Sequence, residues 1–219
     1  MSRALVIVSL LAGTATAQPA PTAASVLASV QTYYANAKQL TAEFRQKVGH
    51  AAYGMMQNSD GRVWIGKPAL FRFDYLKKGG VTAKTFAFDG TTGWYVDHGN
   101  QKITKAAAAT GLLPAAVSFL TGGKQLAQNF TAALNTSGTY GGKGATVLEL
   151  TPKQTSAQFS KLYLVVAANG HVTESIVIAS NGDTNDIAFY KADTTTAVAS
   201  SVFVIDPRSF PHYSVETAP

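Results

Sequence analysis

Large apolar residues alternate with polar residues in one stretch of the first half of the chain. Val63 and Ile65 precede a break at Lys67-Pro68, and the alternation then resumes. A period of two predicts strands that have one apolar face. We therefore predict two strands that share an oily face, and the apolar members after the break are Phe71, Phe73 and Tyr75.

A second strand-turn-strand unit follows directly along the chain. Strands are predicted at Thr82 to Phe88 and at Gly93 to Val96, and Asp89-Gly90 lies between them. Asp-Gly and Asn-Gly dipeptides between alternating segments are strong signals of a hairpin. They recur at Asn169-Gly170 and Asn181-Gly182, so the second half of the chain is also predicted to contain hairpins.

Outside these units, the pattern predicts one helix before the sheet and many further strands. Apolar residues follow helical spacing after Thr22, a plausible N-cap, and Asn58 to Gly61 is interpreted as a turn. Together these elements predict a mainly β fold: a single curled antiparallel sheet of about ten or eleven strands, forming a half-open barrel covered by short helices. The remaining strands are predicted at Leu40 to Val48, Asn100 to Lys105, Ala145 to Leu150, Lys161 to Ala167, Val172 to Ser180, Thr184 to Lys191 and Ser201 to Ile205, with an edge strand at Phe210 to Tyr213.

The middle of the chain lacks period-two alternation. Ala106 to Gly123 is interpreted as a short apolar helix with Pro114 in its first turn, and a second helical turn is predicted at Lys124 to Phe130. Glycines bracket the first helix, which is typical of a mobile cover. Fixed packing on the sheet explains the same pattern equally well.

The N-terminus has the pattern of a secretory signal peptide. Arg3 is followed by the short apolar segment Ala4 to Ala12 and by the small-residue site Ala15-Thr16-Ala17. We predict cleavage after Ala17 and a single domain at 18–219. The chain has no cysteine, so it can carry neither a disulfide nor an N-terminal thioether lipid. Export without disulfides favours a bacterial periplasm.

Charge and motif searches exclude several functions. The formal net charge is +6, but the basic residues are dispersed and form no stripe, so no nucleic-acid partner is expected. The four histidines are scattered without metal-ligand spacing, and no nucleophile motif is present. We therefore expect neither an enzyme nor a metal, and no cofactor.

Several motifs in a fixed order resemble the LolA family of periplasmic carriers. The resemblance covers nearly all of the chain after the signal peptide. The motifs are Ala42-Glu-Phe-Arg-Gln-Lys-Val48, Gly61-x-Val-Trp-Ile-x-Lys-Pro-x-Leu-Phe-Arg-Phe73, Asp89-Gly-x-x-x-Trp-Tyr95, the Leu112-Leu-Pro helix, Leu148-x-Leu-x-Pro152 and the Asp206-Pro207 ending.

This resemblance implies an apolar cavity under short lid helices, without catalytic residues or a cofactor. It also implies three partners: acylated lipoproteins, an inner-membrane ABC exporter and an outer-membrane lipoprotein receptor. A monomer is expected. Family carriers line the cavity with aromatic residues at the positions of Phe71 and Phe73. A basic residue at the position of Lys67 holds the lid closed; the family usually has Arg there, so this latch is expected to be weaker.

On this basis we predict one lipid-cavity set, with Lys67 as the lid latch. The same residues would also fit an ordinary core between sheet and helix, and only the resemblance favours a cavity. A lipid-sensing or lipoprotein-sensing module of the same fold is the alternative function. The predicted cavity residues are Val63, Ile65, Phe71, Phe73, Tyr75, Leu112, Leu113, Val117, Phe119 and Leu120.

Overall fold

The computed structural model describes residues 20–106, 120, 126–156 and 159–218. In this part of the chain, twelve strands form one continuous sheet. The helices are α1 (Ala23–Asn36) and α2 (Leu126–Asn129). The strands are β1 (Gln39–His50), β2 (Met55–Gly66), β3 (Leu70–Leu76), β4 (Thr82–Phe88), β5 (Gly93–Asp97), β6 (Lys102–Ala106), β7 (Phe130–Leu134), β8 (Thr146–Pro152), β9 (Phe159–Val166), β10 (Val172–Ala179), β11 (Thr184–Asp193) and β12 (Ser214–Thr217).

The sheet consists of two meanders joined at its centre. The strand order is β12-β6-β5-β4-β3-β2-β1-β11-β10-β9-β8-β7. Consecutive strands from β1 to β6 and from β7 to β11 are antiparallel neighbours, β1 pairs with β11 and so connects the two halves, and β12 is added at the edge beside β6. The predicted fold class, a mainly β protein built on one curled sheet, is confirmed.

Helix α1 begins where the sequence predicts. Thr22 and Ser25 form a reciprocal capping box: each backbone N–H donates to the other residue's hydroxyl oxygen, at 2.9 and 3.1 Å. The helix buries Val26, Leu27 and Val30 against the concave face of the sheet. The Tyr34 hydroxyl accepts a hydrogen bond from the Val172 N–H, which ties α1 to the start of β10.

Three details of the predicted strands are wrong. Asn58 to Gly61 is not a turn, because β2 continues through it in unbroken register with β1, and the chain turns instead at Ala51 to Gly54. Ser201 to Ile205 is not a strand; Ser200–Phe203 form a 3-10 helix that buries Phe203. The last strand follows Tyr213 rather than ending there, and it pairs parallel with β6, so the sheet is not wholly antiparallel.

The segment that follows β11 covers part of the outer face of the sheet. Ile205 packs there with Trp94, Val96 and residues of β4 and β6, in a second apolar cluster. Alternate residues in 200–205 are apolar because they pack on the sheet, although this segment forms no strand of it. The strand β7 was missed: its first residue, Phe130, was interpreted as the end of a helical turn, and no element was predicted for residues 131–134.

A third apolar cluster lies on the outer face of β8, β9 and β10. Val147 and Ile176 are buried in it, and Ile178 packs against it beside Tyr140. These three residues lie on the face opposite to Leu162 and Leu164, which belong to the main core. Their strands are covered on both sides, so alternation alone does not show which side is the main core.

Candidate functional site

Aromatic side chains form one wall of the concave interior. Phe71 and Phe73 on β3 are each only 1% exposed. The Phe44 ring lies 5.8 Å from Phe73 and 5.2 Å from Tyr75, measured between ring centroids. Phe88 stacks on Phe71 at 5.8 Å. The rings on β1, β3 and β4 thus form a continuous apolar surface.

Aliphatic side chains form the opposite wall, which comes from the second meander. Leu148 and Leu150 on β8 and Leu164 on β9 are fully buried. These leucines belong to the same cluster as the aromatic wall, with α1, Leu120 and Leu126 completing it. The interior therefore lies between two apolar walls that belong to separate halves of the sheet.

Gly61 lies in the aromatic wall at the point where rings from β1 and β3 meet. It is paired with Phe44 on one side and with Tyr75 on the other. A Cβ atom at this position would lie 2.5 Å from the Asp74 carbonyl oxygen and 2.5 Å from Phe44 Cε1. The absence of a side chain allows the Phe44 and Tyr75 rings to meet across β2.

Hydrogen-bonded polar side chains lie at one end of the aromatic wall. Burial raises the pKa of Tyr75 to about 12, although a hydrogen bond with Gln46 opposes the shift. The Gln46 side chain is itself buried and donates to Asn185 Oδ1 at 2.9 Å. Because buried polar groups need partners, this chain of side chains fixes the end of the wall where β1 and β11 continue toward their hairpin tips.

The structure brings together the described members of the predicted cavity set. Val63, Ile65, Phe71, Phe73 and Leu120 are buried in one cluster, and Tyr75 packs against it. Leu112, Leu113, Val117 and Phe119 lie outside the described residues. The six described members therefore share one apolar cluster in the interior of the curled sheet.

Lys67, the predicted latch, lies just after the end of β2. Its side chain is exposed, its backbone N–H donates to the Lys38 carbonyl oxygen at 3.2 Å, and partial burial lowers the pKa of its ammonium. The lid that it would hold is largely outside the described residues. The latch therefore stays a prediction.

Sequence reasoning missed three residues of the aromatic wall. Phe44 was placed on a strand but not in the cavity, and Phe86 and Phe88 were quoted only as strand residues. Phe44 has the buried parity of β1, whereas Phe86 and Phe88 are half-buried and pack against the main cluster from the face of β4 opposite to Thr85 and Ala87. The pairings of Phe73 with Phe86 and of Phe71 with Phe88 could have been inferred from the Asp89-Gly90 hairpin and the turn before it.

A polar network lies on the outer face, behind the aromatic wall. Arg72 holds Asp74 through two hydrogen bonds of 2.9 and 3.0 Å, and it donates a third to the Val202 carbonyl oxygen. The Thr85 hydroxyl donates to Asp74 at 2.7 Å. Its oxygen therefore accepts from His98 Nε2 at 3.4 Å, which leaves His98 Nδ1 to accept from the Tyr213 hydroxyl at 3.1 Å.

This network predicts that stability depends on pH. Burial lowers the pKa of His98, Asp74 opposes this shift, and burial also lowers the pKa of His171 beside α1. A histidine whose folded-state pKa lies below its unfolded value of 6.5 stabilises the fold while neutral, so this stability is lost as pH falls. We expect the urea midpoint to decrease between pH 7.5 and 5.5.

The pH effect is checked by urea titration of His98→Gln. This variant should show a shallower decrease over the same range, whereas His212→Gln, at an exposed position, should keep the parent's slope. A decrease that is identical in all three proteins would contradict the assignment to His98.

Other chemistry has little support in the described part of the chain. No group of three His, Cys, Asp or Glu residues is arranged there to hold a metal ion. Among the same residues, the helices are too short or too polar to cross a membrane. The carboxylate pair of Glu174 and Asp186 lies on the outer face, where burial and the neighbouring charge raise the pKa of Glu174.

A curled sheet around an apolar interior defines a half-barrel protein. The family model described as "Outer membrane lipoprotein carrier protein LolA" matches residues 35–206. The chain is 28% identical over 190 residues to an outer-membrane lipoprotein carrier protein of Chromobacterium violaceum, covering 86% of each chain. It is 30% identical over 174 residues to that of Dechloromonas aromatica, covering 78% of this chain and 79% of the relative.

A solved structure supports the fold alone. A crystal structure of an uncharacterized conserved protein from Thermus thermophilus is similar with a TM-score of 0.54 at 12% identity, covering 90% of this chain and 99% of that chain. The family model spans well over half of the sequence. The chain belongs to the LolA family of outer-membrane lipoprotein carrier proteins.

Proposed function

We propose that this protein is a periplasmic carrier that binds the acyl chains of lipoproteins between its aromatic and aliphatic walls. It takes them from an inner-membrane ABC exporter and delivers them to an outer-membrane lipoprotein receptor, without catalysing a reaction. The observation that carries this proposal is the concave interior, whose two apolar walls come from different halves of one open sheet. Membership of the LolA family supports the same assignment.

The energetics explain why such a carrier is needed. Burying one methylene group is worth roughly 0.8 kcal/mol, so an acyl chain of about 16 carbons represents on the order of 12 kcal/mol. Release of such a chain into water is therefore extremely slow. A protein that shields the chain can move it between membranes without exposing it to solvent.

The closed packing of the site makes binding reversible. Phe71 and Phe73 are buried against the rest of the interior. An acyl chain must replace these contacts, so only the difference between the two packings contributes to affinity. The contacts between the two walls thus lower the affinity for acyl chains, so that a bound lipoprotein can be passed on.

Because the acyl chain competes with contacts among the interior side chains, removing some of these contacts should tighten acyl binding. Phe73→Leu removes ring contacts from the interior and lowers the free energy of unfolding by about 1 kcal/mol. A bound acyl chain can fill the space that the ring leaves. We expect the Kd for a triacylated peptide to decrease about fivefold. Isothermal titration or a solvatochromic label on the peptide measures this change.

Trp94→Leu is the matched control, because Trp94 is buried in the outer-face cluster. It should destabilise the protein without changing the Kd for the acylated peptide. If the parent does not bind the peptide, or if both variants change the affinity equally, the concave interior is not the acyl site.

Depletion in the host separates a carrier from a sensing module. For a carrier, we expect outer-membrane lipoproteins to accumulate in the inner membrane, as measured by fractionation. Correct sorting after depletion would favour the sensing module even if acyl chains bind.

A further inference from the structure

The hairpin of β1 and β2 extends past the rest of its meander on one side only. The last β3 partner of β2 is Leu76, which lies opposite Asp60. Met55 to Ser59 continue for five residues beyond that point, paired only with β1. At about 3.3 Å per residue, this leaves a free strand edge about 16 Å long, here named the β2 step (Met55 to Ser59).

The other side of the hairpin is covered. β1 pairs with β11 as far as Gly49, which lies opposite Thr184. Beyond this pair, the Ala51 N–H donates to Asp183 Oδ1 at 2.8 Å. The unpaired edge therefore lies only on the side of the hairpin that faces β3, because the side that faces β11 is paired or hydrogen-bonded.

The backbone of the β2 step suits another strand. At alternate positions, its N–H and C=O groups point to the side where β3 would continue, and no strand of the described residues pairs with them there. Natural edges are usually protected by charges, proline or a bulge. The β2 step contains no charged residue, no proline and no bulge: its register with β1 is unbroken, the next charged residue along β2 is Asp60, which is held by Arg45 at 2.8 Å, and Lys47 lies opposite Asn58 on β1.

The side chains around the β2 step also suit a strand. Met55 and Met56 lie on opposite faces and are 61% and 63% exposed, so each face of an added strand would find an apolar neighbour. The free edge ends at the β3–β4 turn, where Lys77 and Lys78 are exposed and the Lys77 ammonium lies toward Gly99 of the β5–β6 turn. A strand antiparallel to β2 would begin beside this basic turn, which favours an acidic residue at that end.

We propose that the β2 step is a docking site for an extended segment of a partner protein, which adds antiparallel to β2 and begins with an acidic residue. Main-chain hydrogen bonds supply the affinity, while Met55, Met56 and the lysine pair supply selectivity. The surface lies outside the apolar interior, so this proposal is independent of acyl binding.

The test uses the full-length chain after the signal peptide and a synthetic probe, acetyl-Glu-Thr-Val-Thr-Val-Thr-Val-amide. Residue-resolved NMR should show shifted amides and slower hydrogen exchange at residues 55–59 on titration to millimolar peptide. A peptide with Lys in place of Glu should bind at least threefold more weakly. A peptide whose alternate amides are N-methylated should not bind, since it cannot form the ladder.

Met56→Lys should weaken binding of the probe at least fivefold with an unchanged melting temperature, because residue 56 is exposed. Val215→Lys, at an exposed position on the edge strand β12, is the matched control and should leave the binding unchanged. The proposal is overturned if residues 55–59 do not respond, or if the N-methylated peptide binds equally well. It is also overturned if the hairpin instead binds phosphatidylethanolamine–phosphatidylglycerol vesicles, or forms a dimer that Met56→Lys abolishes.

Discussion

Gly170→Ala is expected to destabilise the protein by about 3 kcal/mol and to displace α1 from the sheet. Gly170 lies in the β9–β10 turn with a φ of +87°, and an added Cβ would lie 2.6 Å from the carbonyl carbon of Ser29 in α1. The substitution therefore combines the cost of positive φ, about 1 kcal/mol, with a clash against helix backbone that cannot rotate away. Chemical denaturation measures the loss, and faster hydrogen exchange of the Val172 amide, which donates to the Tyr34 hydroxyl, reports the displaced helix.

The chain contains a close control for this experiment. Gly182 occupies the same place in the Asn-Gly turn of the next hairpin and also has a φ of +87°. The nearest atom to its added Cβ is Ala51 Cβ at 3.4 Å, an ordinary contact. Gly182→Ala should cost only about 1 kcal/mol, from the backbone conformation. Equal losses in the two variants would show that the turn, and not its contact with α1, requires Gly170.

Gly61→Ala is the second substitution with a large expected effect, about 3 kcal/mol. The new Cβ would meet the Phe44 ring on one side and the Asp74 backbone on the other. Either Phe44 leaves its position or β3 moves away from β2, and both changes disrupt the aromatic wall. The free energy of unfolding gives the magnitude, and the Phe44 to Tyr75 nuclear Overhauser contacts show whether the rings still meet.

A double-mutant cycle isolates the cause of this effect. With Phe44→Leu, part of the clash is removed, so the double variant should be more stable than the sum of the single losses by about 1 kcal/mol. Gly49→Ala is a control on the neighbouring strand, because the nearest atom to its added Cβ is the Thr184 hydroxyl, at the end of a side chain that can turn away. Strict additivity for Gly61 and Phe44 would contradict the ring contact as the cause.

Local patterns were sufficient for most elements of the first meander and for much of the site. The alternation around Lys67-Pro68 placed Val63, Ile65, Phe71 and Phe73 on one face, and the structure buries all four together. The capping residue Thr22 and the Asn-Gly turns were also found where they were predicted. These features depend on contacts between near neighbours, which the period of the sequence encodes directly.

Other features depend on partners that are distant in sequence. Residues 201–205 have the spacing of a strand, yet Ser200–Phe203 form a 3-10 helix whose Phe203 lies against Gly66 of β2, and Ile205 beyond it covers the outer face that β4, β5 and β6 create. The polar segment Asn58 to Gly61 looks like a turn, but it pairs with β1 over its whole length. Whether a short polar segment bends or extends was decided by the available pairing partner, and not by its own preference.

By itself, the sequence determined the class of fold, the N-cap of α1 at Thr22 and an apolar strand face around Phe71 and Phe73, because each depends on spacing within a few residues. Only the tertiary structure decided that Phe44 closes over Gly61, that the aromatic wall faces leucines from the other half of the chain, and that the C-terminal strand runs parallel to β6. These contacts join residues that are far apart along the chain. Their formation is governed by how the sheet curls and which faces it leaves to be covered, and no local period records that geometry.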